Sequence, residues 1–260
     1  MILDDICAHK RIEVDRQKER VPQGDLEERI ANIWPARPFR DALRKEGVSL
    51  IAEVKRASPV KGDLLRDMDA VDVGVLYEQA GARAISVLTD EEYFKGSLED
   101  LSNVRQAVNI PCLRKEFIID PYQIYEARAA QADAILLIAR ILDNARLKDF
   151  RILAESLGMG VLVETHDPSE IERALETGAH IIGINNRNLD TFEVDLNTTL
   201  ELRKMVSGGH VLVSESGIFT RAHVKRLEDG GVDAILVGEA LVTSDNISQK
   251  IAELLGDGEG

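Results

Sequence analysis

The stretch LIAEVKRASPVKGDL, residues 50–64, begins with apolar residues typical of a buried strand and ends in opposite charges. In an extended chain the side chains alternate between two faces, so Glu53 and Lys55 point the same way. Two charges at the end of an apolar strand cost free energy unless they form an ion pair or interact with a ligand or substrate. A structural ion pair and an acid–base pair are both open at this point.

Polar side chains end other apolar runs in the same way. They are Lys115 in LRKEF, Glu164 in LVETH, Asn185 and Arg187 in GINNRNL, and Ser214 and Ser216 in SESGI, where the two serines have the same parity. Each has a plain alternative: Lys115 could be solvated, Glu164 beside His166 could cap a helix, and an asparagine often forms a turn. If these ends meet, however, lysines and glutamates at one mouth can do acid–base chemistry, because neighbouring charges and desolvation tune pKa values.

The elements that would bring these ends together alternate regularly. Helix-like stretches separate eight short apolar runs: SLIAEVK, AISVLT, PCLRKEF, ADAILLIA, GVLVETH, IIGINN, HVLVSES and DAILVGE. Asp120-Pro121 and Asp167-Pro168 predict helix starts, and Gly178 predicts a helix end. This alternation implies a parallel sheet, and eight units predict an α/β fold, a (β/α)8 TIM barrel. A doubly wound open sheet is the alternative, but no Gly-x-Gly-x-x-Gly follows the first strand.

The first 48 residues precede the predicted barrel. DDICAHKRIEVDRQKERV is helix-like and highly charged, and IWPARPF interrupts it. We therefore expect residues 1–48 to form an N-terminal helical extension packed on the barrel, within a single domain over residues 1–260. No second domain follows LLGDGEG, so we also expect an unfused chain.

Two glycine-containing segments suggest an anion site. SESGI carries Gly217 and LVGEAL carries Gly238 before a helix start, next to Glu239. Glycine lets a backbone approach a ligand closely, and helix N-terminal amides attract anions. Because barrels often bind phosphate after their last two strands, we predict phosphate binding here, although these glycines could simply turn the chain.

Composition limits the partners and the compartment. The net charge of -14 argues against general binding to nucleic acid or to a membrane surface. Cys7 and Cys112 lie far apart, and we expect core thiols in a reducing compartment. No apolar run reaches about 18 residues and no signal-peptide pattern opens the chain, so we expect a cytoplasmic protein. The five histidines show no metal-ligand spacing, so we expect no metal.

Ordered motifs across nearly the whole chain resemble one enzyme family, the indole-3-glycerol phosphate synthases. These motifs are EVKRASPVKG, YFKGS, LRKEFIIDPYQIYEARAAQADAILLI, LVETH, GINNRNL, VSESGI and VGEAL. In order they are more specific than any one alone. The resemblance implies a barrel with an N-terminal helical extension. Glu116 departs from it, since the family usually has Asp there; by alternation Glu116 faces away from Lys115, so we expect little effect.

The resemblance also implies a reaction. A carboxy-lyase of this family closes the indole ring of 1-(2-carboxyphenylamino)-1-deoxyribulose 5-phosphate, with loss of carbon dioxide and water. The product, indole-3-glycerol phosphate, belongs to tryptophan biosynthesis, and no cofactor takes part. The expected partner is thus a small phosphorylated substrate, and we expect a monomer or a weak homo-oligomer.

The resemblance gives expected roles to the catalytic positions. Lys115 is similar to the family's general acid for ring closure, and Glu164 to its partner carboxylate and base. Lys55 resembles the lysine that contacts the anthranilate carboxylate, and it could also act as an acid. Glu53 and Asn185 resemble groups that orient the lysines and the ribulose hydroxyls. Which lysine acts in which step stays open.

The remaining expected positions bind substrate. Those matching the carboxylate and phosphate sites are Ser58, Ser216, Gly217, Gly238 and Glu239, and we group Ser216 with the catalytic residues. Those matching the apolar walls around the aromatic ring are Phe94, Phe117, Leu136 and Leu189. Arg187 is expected to reinforce the site electrostatically.

Two other functions remain possible from sequence. A neighbouring sugar-phosphate barrel, such as a phosphoribosylanthranilate isomerase, would share the phosphate site but not two inward lysines, so Lys115 discriminates between them. A barrel that has lost activity and serves as a binding partner would show a broken set of catalytic residues.

Overall fold

The computed structural model describes residues 2–58, 62–63, 69–189 and 191–256. Its strands are β1 Ser49–Val54, β2 Ala57–Ser58, β3 Gly62–Asp63, β4 Ala84–Leu88, β5 Cys112–Lys115, β6 Ala134–Ile138, β7 Gly160–Thr165, β8 Ile181–Asn185, β9 Val211–Glu215 and β10 Ala234–Val237. Its α-helices are α1 Ile2–Arg20, α2 Gln23–Ile30, α3 Phe39–Leu43, α4 Ala70–Gln79, α5 Glu91–Phe94, α6 Leu98–Ala107, α7 Tyr122–Ala129, α8 Asn144–Ser156, α9 Pro168–Glu176, α10 Asn197–Leu202, α11 Arg221–Asp229, α12 Glu239–Val242 and α13 Ile247–Leu255. Short 3-10 turns span Ala139–Ile141 and Arg203–Met205.

Eight parallel strands close into a barrel. The order around it is β1-β10-β9-β8-β7-β6-β5-β4, and β1 pairs with both β4 and β10. The predicted (β/α)8 TIM barrel is confirmed, each of the eight predicted strands is present, and the open sheet is excluded. The antiparallel pair β2–β3, in the loop after β1, was not predicted from the sequence.

The interior of the barrel follows the two-residue alternation of the strands. A buried apolar cluster fills it, formed by Ile51, Ala84, Leu113, Ala134, Leu136, Ile138, Leu162, Ile181, Val211, Val213, Ala234 and Leu236. Stepping two residues further along these strands gives Glu53, Lys115, Glu164 and Glu215. These charged groups therefore lie on the inward face at the carboxyl ends of the strands, where barrels carry their active sites.

The N-terminal extension reaches both ends of the barrel. Phe39 and Leu43 of α3 are fully buried against the interior apolar cluster, and Phe39 lies beside Gly160 at the start of β7. At the opposite end, Lys10 of α1 forms ion pairs with residues that follow β4 and β5. Between these contacts, α2 packs against α7.

Local signals explain where the helices begin and end. Asp167 caps α9 by accepting a hydrogen bond from the amide of Glu170, Pro168 occupies the first turn, and Gly178 follows the helix with a φ of +82°. These predictions are confirmed. α7 begins at Tyr122, later than Asp120-Pro121 suggested, yet Asp120 Oδ1 accepts a bond from the Tyr122 amide at 2.9 Å.

The helices and the two cysteines can be compared with the expectations about membrane segments and thiols. Among the described residues, none of the helices combines the length and apolar character needed to span a bilayer. Cys7 and Cys112 are buried free cysteines, as the sequence predicted.

Candidate active site

Three strands bring a lysine and two glutamates together at the centre of the barrel mouth. Lys115 ends β5, Glu164 lies near the end of β7, and Glu215 ends β9. The Nζ atom of Lys115 is 3.3 Å from Oε2 of Glu164 and 3.8 Å from Oε2 of Glu215. Both glutamates are buried. One cation therefore stands between two carboxylates.

Glu164 has partners on both carboxylate oxygens. Its Oε2 contacts Lys115, while its Oε1 accepts a hydrogen bond from Asn185 Nδ2 at 3.1 Å and lies 3.2 Å from Nε2 of His166. Glu164 is not the cap of the following helix, because Asp167 has that role. Asn185 also accepts a bond from the backbone amide of Arg187, which fixes its amide group.

The cluster shifts the pKa values of its members in different directions. Burial lowers the pKa of Lys115, but the negative charges of Glu164, Glu215 and Glu53 outweigh burial and raise it above the usual value. Burial raises the pKa of Glu164, but the charge of Lys115 and the proximity of His166 outweigh burial and lower it. Burial and then the charge of Glu164 raise the pKa of Glu215 to about 8. The site thus holds one strongly ionised carboxylate and one that readily carries a proton.

Glu53 and Lys55, which ended the first apolar run, form an ion pair at the same mouth. Nζ of Lys55 is 2.8 Å from Oε1 of Glu53, and both residues line the central cavity. Gly238 leaves the space that Glu53 occupies, because a Cβ atom there would lie 2.5 Å from Oε1 of Glu53. Glu53 and Lys55 therefore pair with each other and also line the cavity.

A cavity of about 240 Å³ opens above this cluster. Its polar lining includes Glu53, Lys55, Lys115, Glu164, Asn185, Arg187, Glu215, Ser216 and Glu239. Its apolar lining includes Leu3, Ile6, Phe94, Phe117, Leu136, Ile138, Leu189 and Phe192. The rings of Phe94 and Phe117 lie with centroids 6.1 Å apart. The cavity can accept a molecule with an apolar ring at one side and charged groups at the other.

The predicted anion-binding segments border the same cavity. Ser216 and Gly217 follow β9 with φ values of 69° and 79°, and Gly238 separates β10 from α12. Glu239 begins that helix, and its Oε2 lies 3.8 Å from Nη2 of Arg187. The Glu239 carboxylate thus has a cation beside it at the start of α12.

All but one of the predicted site residues line this cavity. The exception is Ser58, whose side chain lies outside the described part of the chain. Among the residues that the structure describes, no group of three or more His, Cys, Asp or Glu side chains is arranged to hold a metal ion.

Glu215 was missed because the alternation in SESGI was assigned to the wrong face. Ser214 points outward, where its Oγ atom contacts Asn186 and Thr199, so Glu215 points inward with Val213. Ser216 still lines the cavity because its positive φ breaks the alternation just past the end of β9. The apolar residues Val211 and Val213 were the available signal for the inward face.

A second buried charge cluster docks α1 beside the cavity. The fully buried Nζ of Lys10 lies 2.8 Å from Asp90 Oδ2, 3.1 Å from Glu116 Oε1 and 2.8 Å from Glu13 Oε2. Glu116 also accepts a bond from Thr89 Oγ1 at 2.8 Å. Burial lowers the pKa of Lys10, but the charges of Glu116 and Asp90 outweigh burial and raise it. The residue that departs from the family pattern therefore anchors the N-terminal helix.

Comparison with known proteins gives one family. The family model described as Indole-3-glycerol phosphate synthase matches residues 3–254. A relative from Dehalococcoides mccartyi (strain CBDB1) with that name is 49% identical over 98% of this chain and 100% of its own. One from Roseiflexus sp. (strain RS-1) with the same name is 48% identical, covering 98% of each chain.

Solved structures of distant sequence share the fold. A thiamine phosphate pyrophosphorylase from Pyrococcus furiosus superposes with a TM-score of 0.63 at 16% identity, covering 86% of this chain and 100% of that one. A mutant tryptophan synthase alpha-subunit from the same organism gives a TM-score of 0.62 at 16% identity, over 80% of this chain and 98% of that one. These likenesses concern the barrel alone.

Proposed function

This chain belongs to the indole-3-glycerol phosphate synthase family, and from that premise we propose that Lys115 and Glu164 are the acid and the base of the reaction. The reaction is a carboxy-lyase step of tryptophan biosynthesis that closes the indole ring of a small phosphorylated substrate. The observation that carries the proposal is the position of Lys115 between Glu164 and Glu215 at the floor of the cavity.

Ring closure requires a proton donor. The anthranilate ring carbon that bears the carboxylate attacks the ribulose carbonyl carbon, and the carbonyl oxygen takes a proton. Lys115 is the donor in this proposal, because the carboxylates around it keep its ammonium group charged in a buried site. Carbon dioxide then leaves, and the electron pair of the broken bond restores the aromatic ring.

Loss of water requires a base and an acid. Glu164 removes a proton from the new ring as the hydroxyl departs as water. Its low pKa makes it a weak base while Lys115 and His166 stay close. Movement of Lys115 toward the carbonyl oxygen of bound substrate weakens one of these interactions and raises the basicity of Glu164. Glu215, whose pKa is about 8, can supply the proton for the departing hydroxyl.

The other lining residues hold the substrate in this proposal. Lys55 binds the anthranilate carboxylate, and the rings of Phe94 and Phe117 cover the aromatic ring. Glu53 orients Lys55 through their ion pair, and Asn185 orients Glu164. Leu136 and Leu189 complete the apolar wall.

The phosphate group lies at the loops after β9 and β10 in this proposal. Gly217 and Gly238 leave the backbone accessible, and the start of α12 directs amide groups toward the cavity. Ser216 adds a hydroxyl donor. Arg187 offsets the charge of Glu239 there. We also propose a cytoplasmic location, no nucleic-acid partner, and a monomer or a weak homo-oligomer.

The first test is a fluorescence assay for the indole product from 1-(2-carboxyphenylamino)-1-deoxyribulose 5-phosphate. The wild-type chain should form product, and Lys115→Met should lower kcat by about 10³-fold or more, since it removes both the proton and the charge. Lys225→Met, which alters an exposed ion pair on α11, is the matched control and should leave kcat unchanged.

Two outcomes would contradict the proposal. If Lys115→Met keeps its activity, the acid is another group, with Lys55 the next candidate. If well-folded wild-type protein forms no indole product, the assigned reaction is wrong. Isomerisation of phosphoribosylanthranilate is then the next activity to measure.

A further inference from the structure

His166 lies behind the catalytic cluster, between two carboxylates. It directly follows β7, and its side chain is 7% exposed. Its Nε2 is 3.2 Å from Oε1 of Glu164, and its Nδ1 is 3.0 Å from Oε2 of Glu170. The contact between Nε2 and Glu164 brings the imidazole and the carboxylate within ion-pair distance. His166 is not one of the residues that line the cavity, so we expect it to act on bound substrate through Glu164.

Glu170 is fixed in place by the start of α9. Its amide donates to Oδ1 of Asp167, the N-cap residue, at 2.9 Å. Its carboxylate accepts from both the backbone amide and the ring of His166, at 2.8 and 3.0 Å. The imidazole orientation is therefore set by helix capping, independently of substrate.

The two carboxylates determine the charge of the ring. A neutral imidazole has one N–H and one lone pair, so with an acceptor at each nitrogen it would place a lone pair against a carboxylate. Burial lowers the pKa of His166, but the contacts with Glu164 and Glu170 outweigh burial and raise it to about 10. Lys115 on β5 and Glu215 on β9 are further charged groups of the same cluster.

We propose that His166, held by Glu170, is a positioning residue that keeps Glu164 ionised and fixes its Oε1 atom. Oε2 is then left for Lys115 and the substrate. This inference rests on the proposed role of Glu164 as the base, and it gives a role to His166, a residue of LVETH to which the sequence analysis assigned none. Glu170, His166 and Glu164 form a chain from the first turn of α9 through the imidazolium to the proposed base.

The test compares His166→Gln with wild type over a range of pH. Removing the cation lets the pKa of Glu164 rise, so the acidic limb of the kcat profile should move to higher pH by about one unit. At neutral pH kcat should fall by about 10- to 100-fold through misplacement of the carboxylate. KM should change by less than about twofold, because His166 does not contact substrate. His180→Gln, an exposed histidine before β8, is the matched control and should match wild type.

Double variants separate positioning from general loss of structure. Glu170→Gln should give a smaller shift of the acidic limb, and combining it with His166→Gln should cost no more than His166→Gln alone. In a Glu164→Gln background, His166→Gln should have no further effect on kcat. Glu170→Gln also serves as the test if His166→Gln does not fold, which a thermal melt detects.

The outcomes distinguish this inference from the proposed function. An unshifted acidic limb and an unchanged kcat in His166→Gln, beside an active wild type and an inactive Lys115→Met, would overturn the role of His166 alone. An equal loss from His166→Gln with and without Glu164 would also overturn it. A wild type without indole formation would instead remove the proposed function on which it rests.

Discussion

Side chains that are absent matter as much as those present at the barrel mouth. A Cβ atom at Gly183 would lie 2.2 Å from Oε1 of Glu215, and one at Gly238 would lie 2.5 Å from Oε1 of Glu53. Each glycine therefore clears the volume that a neighbouring inward carboxylate fills. No glycine-specific backbone angle is needed at either position, so the requirement is for space.

Gly183→Ala should therefore disable the site while leaving the barrel intact. The added methyl group displaces the end of a flexible side chain, so the melting temperature should change by only a few degrees, while kcat should fall by about 10- to 100-fold. Gly208→Ala is the matched control, because nothing lies within 4 Å of a Cβ there. Steady-state kinetics and thermal melts decide between the two effects, and a fully active Gly183→Ala would contradict the proposed contribution of Glu215.

The residues that sequence reasoning recovered were those at the ends of recognisable strands. Lys115, Glu164 and Asn185 follow apolar residues of the same parity, so alternation alone places them inward. His166 was set aside because the histidines show no metal-ligand spacing. Its partners are a strand residue, Glu164, and a first-turn residue of α9, Glu170, a pairing that the sequence alone does not single out. Lys10 was one charge among many in α1, and its burial depends on two acids more than 75 residues away along the chain.

At the scale of elements, helix α1 forms part of the cavity wall. Leu3 and Ile6 line the cavity, and Lys10, one to two turns further on, provides the ionic anchor. The anchor is a buried cation facing Asp90 and Glu116, which follow β4 and β5. Because Phe94 also follows β4, at the end of α5, and Lys115 ends β5, the position of α1 and the shape of the cavity are linked.

Lys10→Met should weaken the attachment of α1 to the barrel. Removing the cation leaves Asp90 and Glu116 buried with reduced compensation, which should lower the free energy of unfolding by about 3 kcal/mol. KM should rise more than kcat falls, since Leu3 and Ile6 line the cavity away from the Lys115–Glu164 cluster and would affect substrate binding rather than proton transfer. Urea unfolding and steady-state kinetics measure both effects.

Lys18→Met is the matched control on the same helix. Its partner Asp120 and Lys18 itself are exposed, so the cost should stay below about 1 kcal/mol. Equal destabilisation by the two substitutions would show that the buried cluster does not anchor α1.

The strand order of the barrel was predictable because eight similar units must return to the same end of one sheet. The pair β2–β3 was not predictable, since its strands Ala57–Ser58 and Gly62–Asp63 are too short to show a period. The extension was predicted to pack on the barrel, but not where. Phe39 lies in the segment IWPARPF, which was predicted only as an interruption, and Leu43 had no predicted role. Only closure of the barrel makes an opening for them to fill.

At the scale of the whole molecule, the buried cluster of Lys115, Glu164 and Glu215 reduces stability at alkaline pH. The folded pKa of Glu215 is about 8, above its usual value of 4.5. Between these values the folded state holds a proton that the unfolded state has lost, so this group's contribution is complete below pH 4.5 and falls as pH rises toward 8. The buried position of the Glu215 carboxylate does not favour folding at alkaline pH, so we attribute this position to function.

Glu215→Gln should therefore be more stable than wild type at pH 8.5 and should differ less at pH 5. The gain at pH 8.5 should be up to about 4 kcal/mol by the linkage relation, less whatever Glu164 and Lys115 contribute by titrating together. Urea unfolding at both pH values measures it, with the exposed Glu176→Gln as control. A pH-independent difference would mean that Glu215 does not hold a proton in the folded state.

The two-ended attachment of the extension also has a consequence for biosynthesis. Lys10 leaves the ribosome long before Asp90 and Glu116, and Phe39 leaves before the strands that surround it. Translation thus exposes apolar and charged surfaces of α1 and α3 that must wait for their partners, a long-range dependence that slows folding. The nascent extension is consequently the segment of this chain that we expect chaperones to meet first.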